Sequence, residues 1–174
     1  MIENHLVVSA HDVAQYIIAS HHSKSEGGVS NMKLHKVTYF CQAYNMAFRN
    51  EPLFSEDVLA GNSGPIINEF FEYHKDIFIV NSWPVGDERK LSSEDKVIID
   101  HVLKSYSFFT GKNMGEIAMG HVPWQRARQD SSVDLPVINL EVMRNFYRAL
   151  SDAPKNPREY AARFMDRYEN TEHL

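Results

Sequence analysis

Apolar residues recur at helical spacing through most of the chain, and the longest such run lies between Asn31 and Arg49. Leu34, Val37, Cys41, Tyr44 and Phe48 fall on one stripe of a helix there, with Lys33 and Lys36 beside it. The pattern predicts a helix that packs on one side and shows a cationic edge on the other. An earlier helix is predicted from Ser9, where Ser9 and Asp12 form a capping box and Val13, Ile17 and His21 turn inward. It ends near Ser25, in the polar, glycine-paired loop Ser23 to Gly28.

Between Glu51 and Gly64 the helical period disappears, and Pro52, Gly61 and Gly64 punctuate short pieces such as Asp57 to Ala60 that suit a small strand pair. Pro65 suits the first position of a third helix running to about Lys75, with Ile66, Phe70 and Phe71 inward. Ile77 to Val80 reads as a short strand, followed by a loop through Trp83-Pro84 and Gly86-Asp87. Ser92 with Asp95 signals another capping box, for a helix reaching Gly111 with Val97, Ile98, Val102 and Phe109 buried. Asn113 with Glu116 starts a shorter helix. Two more are predicted, at Asn139 to Ala149 with Val142, Phe146 and Leu150 inward, and from Pro157 with Tyr160, Phe164 and Tyr168, before a frayed tail at 170–174. The expectation is a mainly α fold: one compact domain of about six to eight helices, with at most a small β element around residues 51–64 and 77–80.

Composition narrows the function classes. With 43% hydrophobic and 11% aromatic residues, 174 residues can build a core without metal or disulfide. The formal charge of -5, from 18 basic and 23 acidic residues, argues against broad nucleic-acid binding and favours protein partners. A single cysteine, Cys41, forms no internal disulfide, and the start Met1 to His5 lacks the basic and apolar regions of a secretion signal. A cytoplasmic location is expected, and no apolar run approaches the roughly 20 residues needed to span a bilayer.

Candidate chemistry is sparse. The nine histidines show no His-Glu-x-x-His spacing, and although His74, His101 and His121 are able to converge from distant segments, scattered histidines are usually surface or core residues. Cys41 lies on the apolar stripe, where a thiol behaves as a small buried hydrophobe. Gly61 to Pro65 matches neither nucleotide fingerprint, because Pro65 removes an amide donor and no P-loop lysine follows. Adjacent carboxylates such as Glu56-Asp57 and Glu94-Asp95 look like solvated first-turn acids. Pro123-Trp124 precedes Arg126 and Arg128, a composition suited to a protein hot spot or to nucleic-acid contact, against the plainer reading of a buried tryptophan anchoring a solvated basic turn. No catalytic residue, cofactor or metal is expected.

Several of these segments, taken in order, resemble one family. The first helix Ala10 to Ile17, a Gly-rich loop, Asn31 to Ala43 including Leu34, Phe40 and Gln42, then Pro52-Leu53-Phe54, the Ala-x-x-x-Gly-Pro element Ala60 to Pro65 with Gly64, and finally Pro123-Trp124 with Ala127 and Arg128 are similar to the Panacea antitoxin domain. That family includes SocA-like antitoxins and phage-associated GepA-like proteins. The resemblance covers roughly Ser9 to Leu150. The chain departs from the family at His35, where glutamine is common, at Gly61 and Ser63, and in the spacing of His121 before Pro123.

The resemblance implies a bacterial or phage-encoded antitoxin that neutralises a cognate toxin encoded in the adjacent gene. The expected toxin contacts are Lys33, His35, Lys36, Tyr39, Arg126 and Arg128, with Leu34, Phe40, Gly64, Pro65, Pro123 and Trp124 as structural motif residues. Self-association is left open. Two alternatives stand beside direct binding. One is an adaptor that delivers the toxin to the ClpXP protease, with Asn170 to Leu174 as a handle. The other is an enzyme that modifies the toxin or its target, with His35, His121 and Asn62 as its polar groups. Some relatives carry an added DNA-binding domain, and the eight residues before Ser9 are too few to be one.

Overall fold

Ser30 closes a short strand and opens the helix around which the chain is wrapped. The structure, a computed structural model, describes residues 7–22, 27–129 and 132–152. Helix α2 spans Asn31–Arg49, as the apolar period predicts. The Ser30 hydroxyl accepts from the Lys33 amide, and Asn50, in the left-handed conformation (φ 62°), terminates the helix by donating to the Met46 carbonyl. Left-handed asparagine is a common helix stop.

The expected one-sided burial of α2 is overturned. Every residue from Leu34 to Ala47 is buried, Lys36 among them, and of the predicted stripe only Phe48 is exposed. The cause is encirclement. Helices α1 (Ala10–His22), α4 (Ser93–Ser105), α5 (Gly111–Met119) and α7 (Leu140–Asp152) and strand β3 (Gly64–Ile67) all pack on α2, with α7 in the most extensive contact.

A helix buried all round must satisfy its polar side chains inside the protein. Gln42 does so most fully: its Oε1 accepts from the Leu53 and Phe54 amides at 2.7 and 3.3 Å, and its Nε2 donates to the Phe54 carbonyl at 2.9 Å. Thr38 donates back to the Leu34 carbonyl and Asn45 donates to the Glu51 carbonyl.

The two predicted capping boxes form, at Ser9/Asp12 and Ser92/Asp95. The fully buried Asp12 does more than cap, because its Oδ1 also accepts from the Asp87 amide at 2.6 Å and so ties α1 to the 86–90 loop. Val13 and Ile17 are buried as predicted, while His21 stays partly exposed. Of the predicted loop Ser23 to Gly28, residues 23–26 lie outside the described residues, as do the helix from Pro157 and the tail at 170–174.

The predicted third helix at Pro65 does not form. Strand β2 (Val58–Gly61) pairs antiparallel with β3 in the register Val58↔Ile67 to Gly61↔Gly64, leaving Asn62-Ser63 as a two-residue turn. Gly64 sits at φ +98° and admits that turn. Pro65 is tolerated in the strand because it stands opposite Ala60, whose amide is turned the other way and donates to Pro136 at 2.8 Å. No ladder bond to β2 is lost with the missing proline N–H. Helix resumes as a single 3-10 turn, Asn68–Phe70, leading into α3 (Phe71–His74). Ile79–Val80 forms β4, paired with β1 (Val29–Ser30), which bears out the short strand read at residues 77–80.

Helix α4 ends at Ser105, short of the predicted Gly111, and Val97 is exposed rather than inward. The next start signal is Thr110, which forms a capping box with Asn113 at the head of α5. Helix α6 covers Val122–Gln129. Asn139 caps α7 by accepting from the Glu141 and Val142 amides, and Met143 and Tyr147 form its buried face with Val142, Phe146 and Leu150 half-buried at the flanks. The described residues thus form a mainly α architecture with two small antiparallel sheets. None of its helices is long and apolar enough to cross a membrane.

Replacing Gln42 by leucine keeps the volume but strands two amides and a carbonyl in the core, at roughly 1–3 kcal/mol for each group left unmet. The expected loss is about 3 kcal/mol or more in urea unfolding, against less than about 1 kcal/mol for a surface change such as Val97→Thr.

Candidate functional site

The motif residues converge on one hairpin. Trp124 Nε1 donates to the Gly61 carbonyl at 3.1 Å, and Arg128 donates from Nη1 to the Ala60 carbonyl at 3.2 Å and from Nη2 to Asn62 Oδ1 at 3.0 Å. The Arg128 guanidinium also lies over the Trp124 ring at 5.8 Å and reaches the Asp134 carbonyl at 2.7 Å. From the opposite side, Lys36 Nζ donates to the Pro65 carbonyl at 3.0 Å, and the Ile67 amide donates to His35 Nδ1 at 2.9 Å. The turn packs on α5 glycine to glycine: a Cβ on Gly115 would stand 2.5 Å from the Ser63 carbonyl oxygen, and one on Gly64 2.9 Å from Gly115 Cα. Residues from α2, α5 and α6 thus hold the backbone of β2 and β3.

The His35 contact fixes a tautomer. Because an amide donates to Nδ1, the neutral ring carries its proton on Nε2, which donates to His74 Nε2 at 2.8 Å. A protonated Nε2 is no metal ligand, so this pair is a structural link. Burial, then the His74 and Lys36 charges, pushes His35 down to about 3, and His74 is lowered mainly by burial. Burial also lowers Lys36 to about 8. On the α7 side, Tyr147 bridges Tyr39 at 3.1 Å and His121 Nδ1 at 2.9 Å, with burial holding His121 at about 4 and raising both tyrosines. Cys41 is fully buried, and burial raises its thiol.

Several expected toxin contacts therefore point inward. His35, Lys36 and Tyr39 are interior struts, and the cationic edge of α2 reduces to the half-buried Lys33, whose Nζ donates to the Ser107 carbonyl. Arg126 is exposed, Arg128 is committed to the hairpin, and both stand on a helix, where a basic turn was expected. Leu34 and Phe40 are core and Pro123 is buried, while Trp124 is half-buried. His35, His121 and Asn62 contact His74, Tyr147 and Arg128 respectively. His74, His101 and His121 likewise sit apart, against His35, Tyr44 and Tyr147.

Sequence reasoning missed a groove of about 420 Å³ between α6, residues 133–139 and α7. Its walls are Pro123, Ala127, Val133, Leu135, Pro136, Val137 and Val142, and among the described residues Arg126 is the one charged residue lining it. Residues 136–138 also extend the hairpin sheet, since Ala60 donates to the Pro136 carbonyl and Ile138 to the Val58 carbonyl, both at 2.8 Å. The alternation Val133, Leu135, Val137 was the available strand signal. A second apolar surface, Phe71 with Ile77, Phe78 and Ile79, lies near the start of α2, where Asn31 donates to the Phe78 carbonyl.

The buried histidines make stability fall with acid. Above pH 6.5 they are neutral in both states; below it the unfolded chain gains protons that folded His35 refuses down to about 3 and His121 to about 4. Each contributes at most about 1.4 kcal/mol per pH unit, so His35→Gln should flatten the loss between pH 6 and 4 by about that slope. Lys36 acts at the other end: between about 8 and its ordinary 10.5 the unfolded chain holds the extra proton, so stability rises with pH. Lys36→Met should abolish that rise, read by urea unfolding at pH 7.5 and 10.

No curated protein and no solved structure matches the chain. Residues 34–125, a little over half of its length, match the family described as antitoxin SocA-like, Panacea domain. This span runs from the buried start of α2 through the hairpin to the Pro123-Trp124 clamp, and the chain belongs to that family.

Proposed function

We propose that this chain is the antitoxin of a toxin-antitoxin pair and neutralises its cognate toxin in the cytoplasm by direct protein-protein binding. The groove between α6, residues 133–139 and α7 forms the centre of the interface. The observation that carries this reading is the groove itself: an apolar cleft with the exposed cation Arg126 on its lining, built against a hairpin that the family's motif residues hold in place. Hot spots concentrate in such central pockets, with a polar rim completing a standard interface of about 1,600 Å². The reading requires no catalytic step. It is favoured over the Phe78 surface because β2, clamped by Trp124 and Arg128, bonds directly to the groove wall at Pro136 and Ile138.

Co-expression with the product of the adjacent reading frame tests it. Growth rescue with a stoichiometric complex is expected. Ala127→Arg, which fills the groove, should weaken the complex at least about 100-fold, the scale of a lost hot spot, whereas Phe78→Ser should change it little. Rescue without a complex, or rescue indifferent to Ala127→Arg, would sink the proposal.

A further inference from the structure

Residues 136–138 occupy the third position of the hairpin sheet and, among the described residues, are paired on one side only. Ala60 donates to the Pro136 carbonyl and Ile138 donates to the Val58 carbonyl, which makes Leu59 and Val137 the non-hydrogen-bonded pair between them. In that pattern the amide and carbonyl of Val137 are turned away from β2. Neither has a hydrogen-bond partner among the described residues. Val137 is 50% exposed and lines the groove, so an open strand edge borders an apolar cleft. Among the described residues that line the cleft Arg126 alone is charged; it is exposed and has no ion-pair partner among the described residues.

From this juxtaposition we infer that the groove takes an extended segment of the partner, added as a strand along residues 136–138, with apolar side chains in the cleft and a carboxylate on Arg126. The inference rests on the proposed toxin-binding role of the groove and adds its mode. A helix satisfies its own backbone and would cover the Val137 amide and carbonyl without bonding them, at a desolvation cost. A strand bonds both, and its alternation sends every second side chain to the Pro123, Ala127 and Val142 wall. The lone guanidinium selects a carboxylate, since a charge-assisted contact is stronger than a neutral one.

The test uses the full chain and immobilised octapeptides of alternating apolar and polar residues, with Asp, Asn or Lys at a central polar position. Asp peptides should bind and slow exchange of the Val137 amide by about tenfold or more. Arg126→Glu should weaken them about tenfold or more, as expected when a charge pair becomes a like-charge contact, and transfer preference to the Lys peptides. Methylating the peptide backbone nitrogens should abolish binding. Binding indifferent to Arg126→Glu, no binding by any of the peptides, or unchanged Val137 exchange overturns the inference. So does a Val137 amide already protected in the free chain, through a second copy or through its own residues 153–174. If the adjacent-frame product co-purifies without altering Val137 exchange, the strand mode falls and the antitoxin reading stands. If Asp peptides bind as described but no complex forms, the peptide site stands and the antitoxin reading falls.

Discussion

The fold depends on one constraint: α2 is buried on every side, so each polar group it carries must find its partner inside the protein. The partners it finds are backbone groups that their own segments leave unpaired, in the 51–54 stretch and on strand β3. Gln42 serves Leu53 and Phe54, Asn45 serves Glu51, Lys36 serves Pro65 and His35 serves Ile67. Four of the buried polar side chains of the helix thereby specify where a loop or strand passes. An apolar helix of the same shape would pack as tightly but would leave those segments to water, and the hairpin would lose its fixed position.

That arrangement has an electrostatic cost which the helix carries in two ways. His35 and His74 avoid charge altogether, because the Ile67 amide and the shared Nε2 contact leave no site for another proton without breaking a bond. Lys36 donates to the Pro65 carbonyl, and burial lowers its pKa. A methylene chain threaded beside Gly64 and Gly115 brings the amine to that carbonyl, and the absence of side chains at both glycines is what makes room for it. The glycines and the lysine are one packing solution.

Much of the fold was legible in the sequence, and the failures share a cause. The bounds of α2, both early capping boxes and the strand at 77–80 follow from local rules, and they hold. The helix at Pro65 failed because proline's fixed φ suits a helix start and an edge strand alike, and only Ala60's turn toward Pro136, a contact 76 residues away along the chain, decides between them. The cationic edge failed similarly. Lys33 and Lys36 are equally polar in sequence, but α5 and the hairpin close over Lys36. Periodicity reports how much of a helix is apolar and says little about how many neighbours surround it. The groove was hidden because its walls come from three separated segments, although the alternation at Val133, Leu135 and Val137 was a readable strand signal.

Motif and groove divide the structure between them. The match to the family ends at residue 125, within α6, whereas every groove residue except Pro123 lies beyond it, from Arg126 to Val142. The matched segment supplies the struts: Lys36, Gln42, Gly64, Gly115 and Trp124 all hold backbone or make room for it. Arg128 joins the two regions, since its guanidinium bonds Ala60 and Asn62 in the hairpin and Asp134 in the groove-lining segment. A groove wall anchored in this way can change its side chains without disturbing the buried polar links on α2. The same geometry makes the wall's position depend on those links, because residues 136–138 take their place from β2, and the β2–β3 hairpin from the side chains of α2, α5 and α6.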